Sequence, residues 1–566
     1  MLCAGLGVLA GALRFYQLGA TPFNSAEANA ALSAWQLASG GGEMTVDSSL
    51  PVSPLMHTLQ AFTFWVSGSA NPALGRFWSA LAGSVVVFGP LLLRRRIGDD
   101  AALVAVFLLA VSPVMLAVSR NGDGLTLAML CGLIMAAGWE WFIVHTDRRA
   151  LTLAAAAFGA GLAAGPQFVT VLFLFMVAFL VRPKVLRGFW VRLVPELPTL
   201  AVPAVLTFIL CATAMLRYPL GLSAAGESWH TWFSNWITVE GNRPVLLIPT
   251  LAVLHEPLAL VLGLAGGYNA MRSRLPIKGL LGVTGVGLLF AVAYGGRQSS
   301  DVTWMVVPLT LLASLLVVAA WRGARMASKI ANVGVQVGGL MMLGGFGYVQ
   351  LSGLAAGRSA EWLWGRWEAV LMLATLIIVG LLAVLLFAKV WSGSIAWRGA
   401  VTAVFITLLG WSAHSWVLLV NVRPEAGLDL WYRDKPSSSA DLMMQSLEDV
   451  SLWAVGEARE IEIAVVGDAN GRIAWLLREY PNVTWARVTP RALSSPVVIT
   501  TGESSVVAPG TNYFGQEFSD NVYWQGYPTD SSGLTKYFLF RRGHVRQTKM
   551  VLWVREDLKL PMVRAG

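Results

Sequence analysis

Apolar residues run in blocks of about 17 to 25 through most of the chain, long enough to cross a hydrocarbon core of about 30 Å as helices. Thirteen such blocks can be marked, at 1–19, 76–93, 101–119, 125–144, 151–165, 167–181, 197–216, 254–270, 279–295, 302–320, 330–351, 367–387 and 399–419. Gly165-Pro166 divides the short fifth and sixth. The connection over 20–75 is far longer than a simple turn between helices, so it is expected to be structured or functional. In its second half Leu55, Leu59, Phe62 and Trp65, with His57 and Gln60 between them, predict an amphipathic helix over 54–66 lying on the membrane surface. A second long connection, 218–243, carries Trp229, Trp232, Phe233 and Trp236, and 244–254 reads as interfacial. That reading places His255 and Glu256 near the outer membrane face.

After Val420 the hydropathy collapses and a soluble domain is expected over 421–566. Residues 461–466 have a buried-strand pattern, 467–471 are turn-like and 472–480 have helical spacing, with further strands at 496–500 and 551–554. The predicted architecture is an all-α polytopic membrane domain of about thirteen transmembrane helices over 1–420, followed by a small α/β extracytoplasmic domain. Gly467 to Gly471 lacks the second half of a dinucleotide-binding fingerprint, and no periodic repeat is visible.

Composition agrees with this. Of 566 residues 56% are hydrophobic and 13% charged, against about 25% charged in a soluble domain, and the mean hydropathy is +0.62. A soluble enzyme and a disordered chain are excluded, and three cysteines exclude a disulfide scaffold. The net charge of +9 is concentrated in alternate loops, at Arg94 to Arg96, Arg148 and Arg149, Arg182 to Arg192, Arg272 to Lys278, Arg322 to Lys329, and Lys389 with Arg398. Short cytoplasmic loops retain such residues. The N-terminus is therefore expected inside and the C-terminus outside, with the first helix as an uncleaved signal anchor and no nucleic-acid partner.

Carboxylates on the predicted outer side are the informative residues, because charge near hydrocarbon is costly. Glu27, Asp123, Glu256 and Asp301 lie there. Such a group can act as general base on an acceptor while an arginine neutralises a phosphate leaving group. The plainer alternative for each is a helix N-cap or a solvated loop residue, weightiest at Asp301. Arg76, Arg120, Arg243 and Arg297 are the outer arginines, suited to phosphate or to lipid head groups. His57, His230 and His255 share no ligand-like spacing, so no metal is assigned, a divalent ion shared with Glu27 being the alternative. No nucleophile elbow accompanies Ser, His and Asp. A transporter is disfavoured because neither an inverted repeat nor a matched pair of broken helices is visible.

Several short motifs recur in a familiar layout. They are Arg14-Phe15 with Leu18-Gly19, residues 23–28, Ser53-Pro54-Leu55, Arg76 with 79–83, 94–98, Ser112-Pro113, Ser119-Arg120, Trp229 through Arg243-Pro244, His255-Glu256, 301–304 and, in the tail, 475–483. Together they resemble the GT-C glycosyltransferases. The likeness is nearest to the dolichyl-phosphate-mannose protein mannosyltransferase group, glycosyltransferase family 39, and within it to the flippase-activity-associated family of archaeal and bacterial glycosylation loci. The resemblance implies transfer of a sugar from a polyprenyl-phosphate donor, with inversion, to a protein, lipid or glycan acceptor on the outer face. It implies Glu27 and Asp123 as catalytic residues, Arg76, Arg120, Arg243 and Arg297 on the donor phosphate, and His57, Trp229, Trp232, His255 and Glu256 on the substrates. No cofactor is implied beyond the alternative metal, and membrane lipids are further partners. These families usually read Asp-Glu-Ala where this chain reads Ala26-Glu27-Ala28, so the usual catalytic Asp is missing. Either Glu27 substitutes, or Asp123 carries the work, or the protein is a non-catalytic accessory that binds lipid-linked glycan and supports its flipping or hand-over. The tail is expected to pack over the outer mouth.

Overall fold

The structure, a computed structural model, describes residues 2–40, 50–180, 183–237, 246–272, 278–321, 327–355, 364–421, 429–432, 434–467, 471–486, 495–502, 512–524, 537 and 545–558. Helix α1 (Leu2–Phe15) leads into two helices in the long first connection, α2 (Ser25–Ser39) and α3 (Pro54–Ser67). The amphipathic pattern locates α3 correctly. Ser53 caps it, Pro54 fills its first turn, and Gly68, at φ +64°, ends it. Helix α2 is not predicted, because its alanine-rich sequence has little apolar contrast. It starts on a capping box in which Asn24 and Glu27 exchange side-chain and backbone bonds. Then come α4 (Pro72–Val86), α5 (Arg94–Ile97), α6 (Asp99–Val111), α7 (Pro113–Ser119) and α8 (Leu125–His145).

Among the described residues five helices are long and apolar enough to cross a membrane, or seven if each of two bent pairs counts as one span. Shorter apolar helices among the described residues, such as Leu2–Phe15 and Pro166–Leu180, account for other blocks of the thirteen. The block at 101–119 is a bent pair, α6 and α7, turning by 60°, and 254–270 belongs to another, Leu247–His255 and Pro257–Arg272, turning by 97°. A sequence without a matched pair of broken helices was expected; the structure has two breaks, and they touch.

Proline chemistry explains both. Pro113 cannot donate to the Leu109 carbonyl four residues back. Arg14, fully buried on α1, donates there instead (3.4 Å), and also to Ala110 O (3.3 Å) and Ser119 Oγ (3.2 Å). Glu256, preceding Pro257, reaches the start of α7, where its Oε1 accepts the Val114 amide (2.9 Å) and the Ser112 hydroxyl. A carboxylate at a helix N-terminus meets unsatisfied amides and the favourable end of the dipole. The carbonyls at the end of α6 are thus filled from α1, and the start of α7 is capped from the second break. Glu256, read from sequence as substrate-facing, is a buried cap. Glu256→Ala should lower unfolding stability by about 1–3 kcal/mol, the cost of stranding buried donors. Glu256→Gln, which keeps an acceptor, should lose less; equal loss in thermal unfolding of the solubilised protein would refute the cap.

The tail forms one mixed sheet of β1 (Asp434–Pro436), β2 (Ile463–Val466), β3 (Val483–Ala486), β4 (Val497–Thr501), β5 (Tyr513–Trp524) and β6 (Val545–Arg555), in the order β1-β5-β6-β4-β2-β3. Strand β2 pairs in parallel with β3 and β4; the other pairings are antiparallel. Sequence found β2, β4 and the middle of β6, whose apolar runs are continuous because the centre of the sheet is buried. The helix expected over 472–480 is Gly471–Leu476, joining β2 to β3. It docks on the long connection between α1 and α4. Trp475 packs on Phe23 (5.1 Å between rings) and Phe64 (6.2 Å), Arg478 donates to Ala70 O (2.9 Å), and Asn29 lies where any side chain at Gly471 would stand.

Candidate active site

Four segments meet beside Glu27: the start of α2, α4 at Arg76, the turn 120–124 between α7 and α8, and the tail at Asp434. Glu27 is 6% exposed and accepts four hydrogen bonds. Arg76 supplies two, Nε to Oε1 (2.9 Å) and Nη2 to Oε2 (2.6 Å); the amides of Gly122 (2.8 Å) and Asn24 (3.2 Å) supply the others. Burial alone would raise its pKa, but the Arg76 charge and these donors hold it below the ordinary glutamate value. A saturated, acidified carboxylate is a poor proton acceptor. Its lone pairs are engaged in holding α2, α4 and the turn at Gly122 together.

Arg76 is corrected with it. Its remaining donors go to Leu18 O (3.4 Å), Thr21 O (2.8 Å), Thr21 Oγ1 (3.0 Å) and Pro22 O (3.1 Å), and its guanidinium lies 5.1 Å from the Phe23 ring centre. All five N–H groups face protein acceptors, which leaves none for a phosphate. The pair instead ties the segment ahead of α2 to α4 and, through Gly122, to the turn that carries Asp123.

Asp123 behaves differently. It is half-buried, and its described hydrogen bond is from the Leu125 amide to Oδ1 (3.2 Å). Its pKa is pushed up to about 7, first by loss of solvent and then by the negative charges of Glu27 and Asp301, against the Leu125 bond. Asp301 is held in place as the third residue of a capping box whose N-cap is Gln298, accepting the Gln298 amide (2.7 Å) and the Trp304 indole (3.1 Å). The two carboxylates are thus in contrasting environments, Glu27 held below the ordinary glutamate value by four donors and Asp123 pushed up to about 7.

The tail completes the wall with residues the sequence reading did not single out. Asp429 accepts the Trp431 amide (2.9 Å) and faces His255 Nε2 (3.0 Å), so His255 anchors the tail to the second helix break. Tyr432 donates to Leu419 O (2.8 Å), and its ring faces Lys435 Nζ at 5.1 Å from the centroid. The charges of Asp429, Arg76, Glu27 and Arg120 all bear on the Tyr432 hydroxyl. Ser25, two residues before Glu27, donates to Asp434 (3.1 Å). A Trp-Tyr pair among charges directly after the last apolar block was the available signal.

The other expected residues lie elsewhere or do other work. Arg120 donates from Nη1 and Nη2 to Arg14 O (3.1 Å), Tyr16 O (2.6 Å) and Gln17 O (3.0 Å), capping the C-terminal end of α1, so its expected hold on phosphate is replaced by helix capping. Arg297 is buried and turns back to Val292 O (3.0 Å). Arg243 lies outside the described residues. His57 is buried against Ser33 Oγ (3.0 Å) and Tyr218, and burial lowers its pKa to about 4 despite that bond, so it is neutral and joins α2 to α3. Trp229 donates to Leu162 O (3.2 Å) and Trp232 to Thr170 Oγ1 (2.9 Å); Trp232 belongs to an aromatic cluster with Phe173, Phe290 and Tyr294. These indoles serve packing between helices. Among the described residues no three His, Cys, Asp or Glu side chains converge as metal ligands.

The architecture matches solved structures of ArnT from Cupriavidus metallidurans. The form bound to undecaprenyl phosphate aligns with a TM-score of 0.57 at 14% identity, and the apo form with 0.57 at 15%, each covering 99% of both chains. A looser likeness, TM-score 0.44 at 12% identity, joins 85% of this chain to 64% of the Archaeoglobus fulgidus oligosaccharyltransferase. No protein-family profile and no curated protein sequence matches the chain. The chain shares the fold of these ArnT structures over nearly its whole length, the tail included.

Proposed function

We propose that this protein is an integral membrane glycosyltransferase that passes a sugar from a polyprenyl-phosphate donor to an acceptor on the extracytoplasmic face, with Asp123 as general base. The observation that carries the reading is the division of labour in the site. Glu27 is fixed by four donors, while Asp123, on the turn that Glu27 holds, is half-buried with a pKa near 7. Undecaprenyl phosphate in the structurally similar ArnT supports a polyprenyl-phosphate donor. The basic loops support an N-terminus in the cytoplasm and the tail outside.

In the proposed reaction an acceptor hydroxyl or amine attacks the anomeric carbon opposite the phosphate. The bond from that carbon to the phosphate oxygen breaks, polyprenyl phosphate leaves with the electron pair, and Asp123 takes the acceptor proton. Configuration inverts. Glu27 and Arg76 hold the turn and do no proton transfer. A place near family 39, and within it the flippase-associated group, rests on the motifs alone.

One observation favours the accessory reading. Ala26, where the usual motif has its Asp, is exposed in the first turn of α2, so the missing carboxylate is missing from an accessible position. The deciding experiment is transfer from radiolabelled polyprenyl-phosphate sugars in membranes carrying wild type, Asp123→Asn or Glu27→Gln, with donor consumption and acceptor labelling followed separately. Transfer abolished by Asp123→Asn supports the enzyme. Absence of transfer by wild type, with lipid-linked glycan still bound, would assign the accessory role.

A further inference from the structure

We infer that α3 sets the position of Asp123 through the two glycines that flank it, with Gln60 as the positioning residue. The inference rests on the glycosyltransferase reading above, in which Asp123 takes the acceptor proton. That step needs the carboxylate within hydrogen-bond reach of the acceptor, and a displacement of about 1 Å can cost about 100-fold in rate. Asp123 lies on a turn, between Gly122 and Gly124. Glycine does little to fix its own backbone, so the hold must come from what packs against it.

Helix α3 lies against both glycines. At Gly124 a side chain has no room, because Ser53 Oγ and Ala164 O stand where its Cβ would be. Ser53 is the N-cap of α3, and Leu55, two residues on, donates its amide to Ala163 O (2.8 Å), beside that Ala164. At Gly122 the atoms nearest to a Cβ would be Gln60 Nε2, at 3.4 Å, and Glu27 Oε1, at 3.5 Å. Glu27 holds the Gly122 amide (2.8 Å), and the Gln60 amide abuts the same residue from α3.

Gln60 is 1% exposed, and its two polar atoms are used unequally. Nε2 donates to Gly75 O (2.8 Å), so the amide joins α3 to α4 one residue before Arg76 leaves for Glu27. Oε1 has no hydrogen-bond partner among the described residues. Methionine would fill a similar space without stranding an acceptor, so packing alone does not account for glutamine here. What glutamine adds is an uncharged donor fixed between α4 and the turn. A carboxylate in its place would add to the charges of Glu27 and Asp301 that already bear on Asp123.

The test is the pH dependence of transfer from a radiolabelled polyprenyl-phosphate sugar by the full-length protein in membranes, with kcat and KM for the donor followed separately. Gln60→Met removes the donor to Gly75 at similar volume. Its kcat should fall about 10- to 100-fold with KM for the donor unchanged. The acid limb, near pH 7 in wild type, should move to lower pH as a loosened turn lets water reach Asp123. Gln60→Glu separates positioning from folding and carries the test by itself where Gln60→Met does not fold. Burial and Glu27 keep the introduced carboxyl protonated at the lower pH values, where it donates to Gly75 O as the amide does. Transfer should match wild type in that range and fall as the carboxyl ionises, an alkaline limb that wild type lacks. The charges bearing on Asp123 in these profiles are those of Glu27 and Asp301, with Arg76 paired to Glu27. Wild-type kcat in Gln60→Met would overturn the inference and leave the glycosyltransferase reading standing. A lower rate with an unmoved acid limb, or Gln60→Glu without an alkaline limb, would also overturn it by showing a structural role alone. A wild type that transfers from no donor would overturn both.

Discussion

Arg76→Met should destabilise the protein by about 3–5 kcal/mol, the expected cost of removing one partner from a buried ion pair. The loss is large because the guanidinium serves two sets of acceptors. It neutralises Glu27 at 2.6 Å and satisfies the carbonyls of Leu18, Thr21 and Pro22, which have no regular secondary structure to serve them. Its removal leaves an uncompensated carboxylate and several stranded acceptors. The double variant Glu27→Gln with Arg76→Met should recover part of the loss, since no buried charge is then left alone. Chemical denaturation of the solubilised protein measures both.

The pH response gives a second readout with opposite signs. In wild type Glu27 is held below its unfolded pKa, so its contribution is present above that value and is lost as pH falls through the folded pKa. Without Arg76 burial dominates and the folded pKa lies above the unfolded one. Stability is then lost as pH rises past about 4.3, the ordinary glutamate value. A variant within 1 kcal/mol of wild type and with the same pH slope would show that the pair does not fix the turn.

What the sequence disclosed follows from which interactions are local. Helix α3 was legible because one apolar face repeats at helical spacing, and β2 and β4 because the centre of the tail sheet is continuously apolar. Hydropathy reads straight through Ser112-Pro113 and Glu256-Pro257, because a bend in an apolar helix changes direction and not composition. The edge strand β1 is three residues long and carries almost no pattern, so Lys435 went unnoticed. Glu27 and Asp123 stood out by the rarity of carboxylates. Their different surroundings did not, because Arg76 lies 49 residues from Glu27 and Gly122 lies 95 from it. Likewise Arg120 was chosen as a phosphate ligand for its charge and position, while its acceptors are on a helix more than 100 residues earlier.

Asp123→Asn is expected to reduce sugar transfer by about 10² to 10⁴, the range for removing a general base. The wild-type rate should fall as pH drops below about 7, where Asp123 takes up its proton, and the residual rate of the variant should lack that limb. The same substitution should stabilise the protein. A carboxyl whose folded pKa is raised above its unfolded value costs stability as pH rises between the two, and asparagine carries no such cost. The gain of Asp123→Asn over wild type should therefore grow from about pH 4 to about pH 7 and then level off. Loss of rate together with gain of stability is the mark of a group kept for chemistry at the expense of the fold. A structural aspartate would give the reverse, a variant less stable at every pH above the ordinary aspartate range. Glu27→Gln serves as the contrast, because a positioning carboxylate should lose stability and rate together without shifting the acid limb. If both variants lose the limb, the two carboxylates titrate as one unit and the division of roles drawn from their hydrogen bonds is wrong.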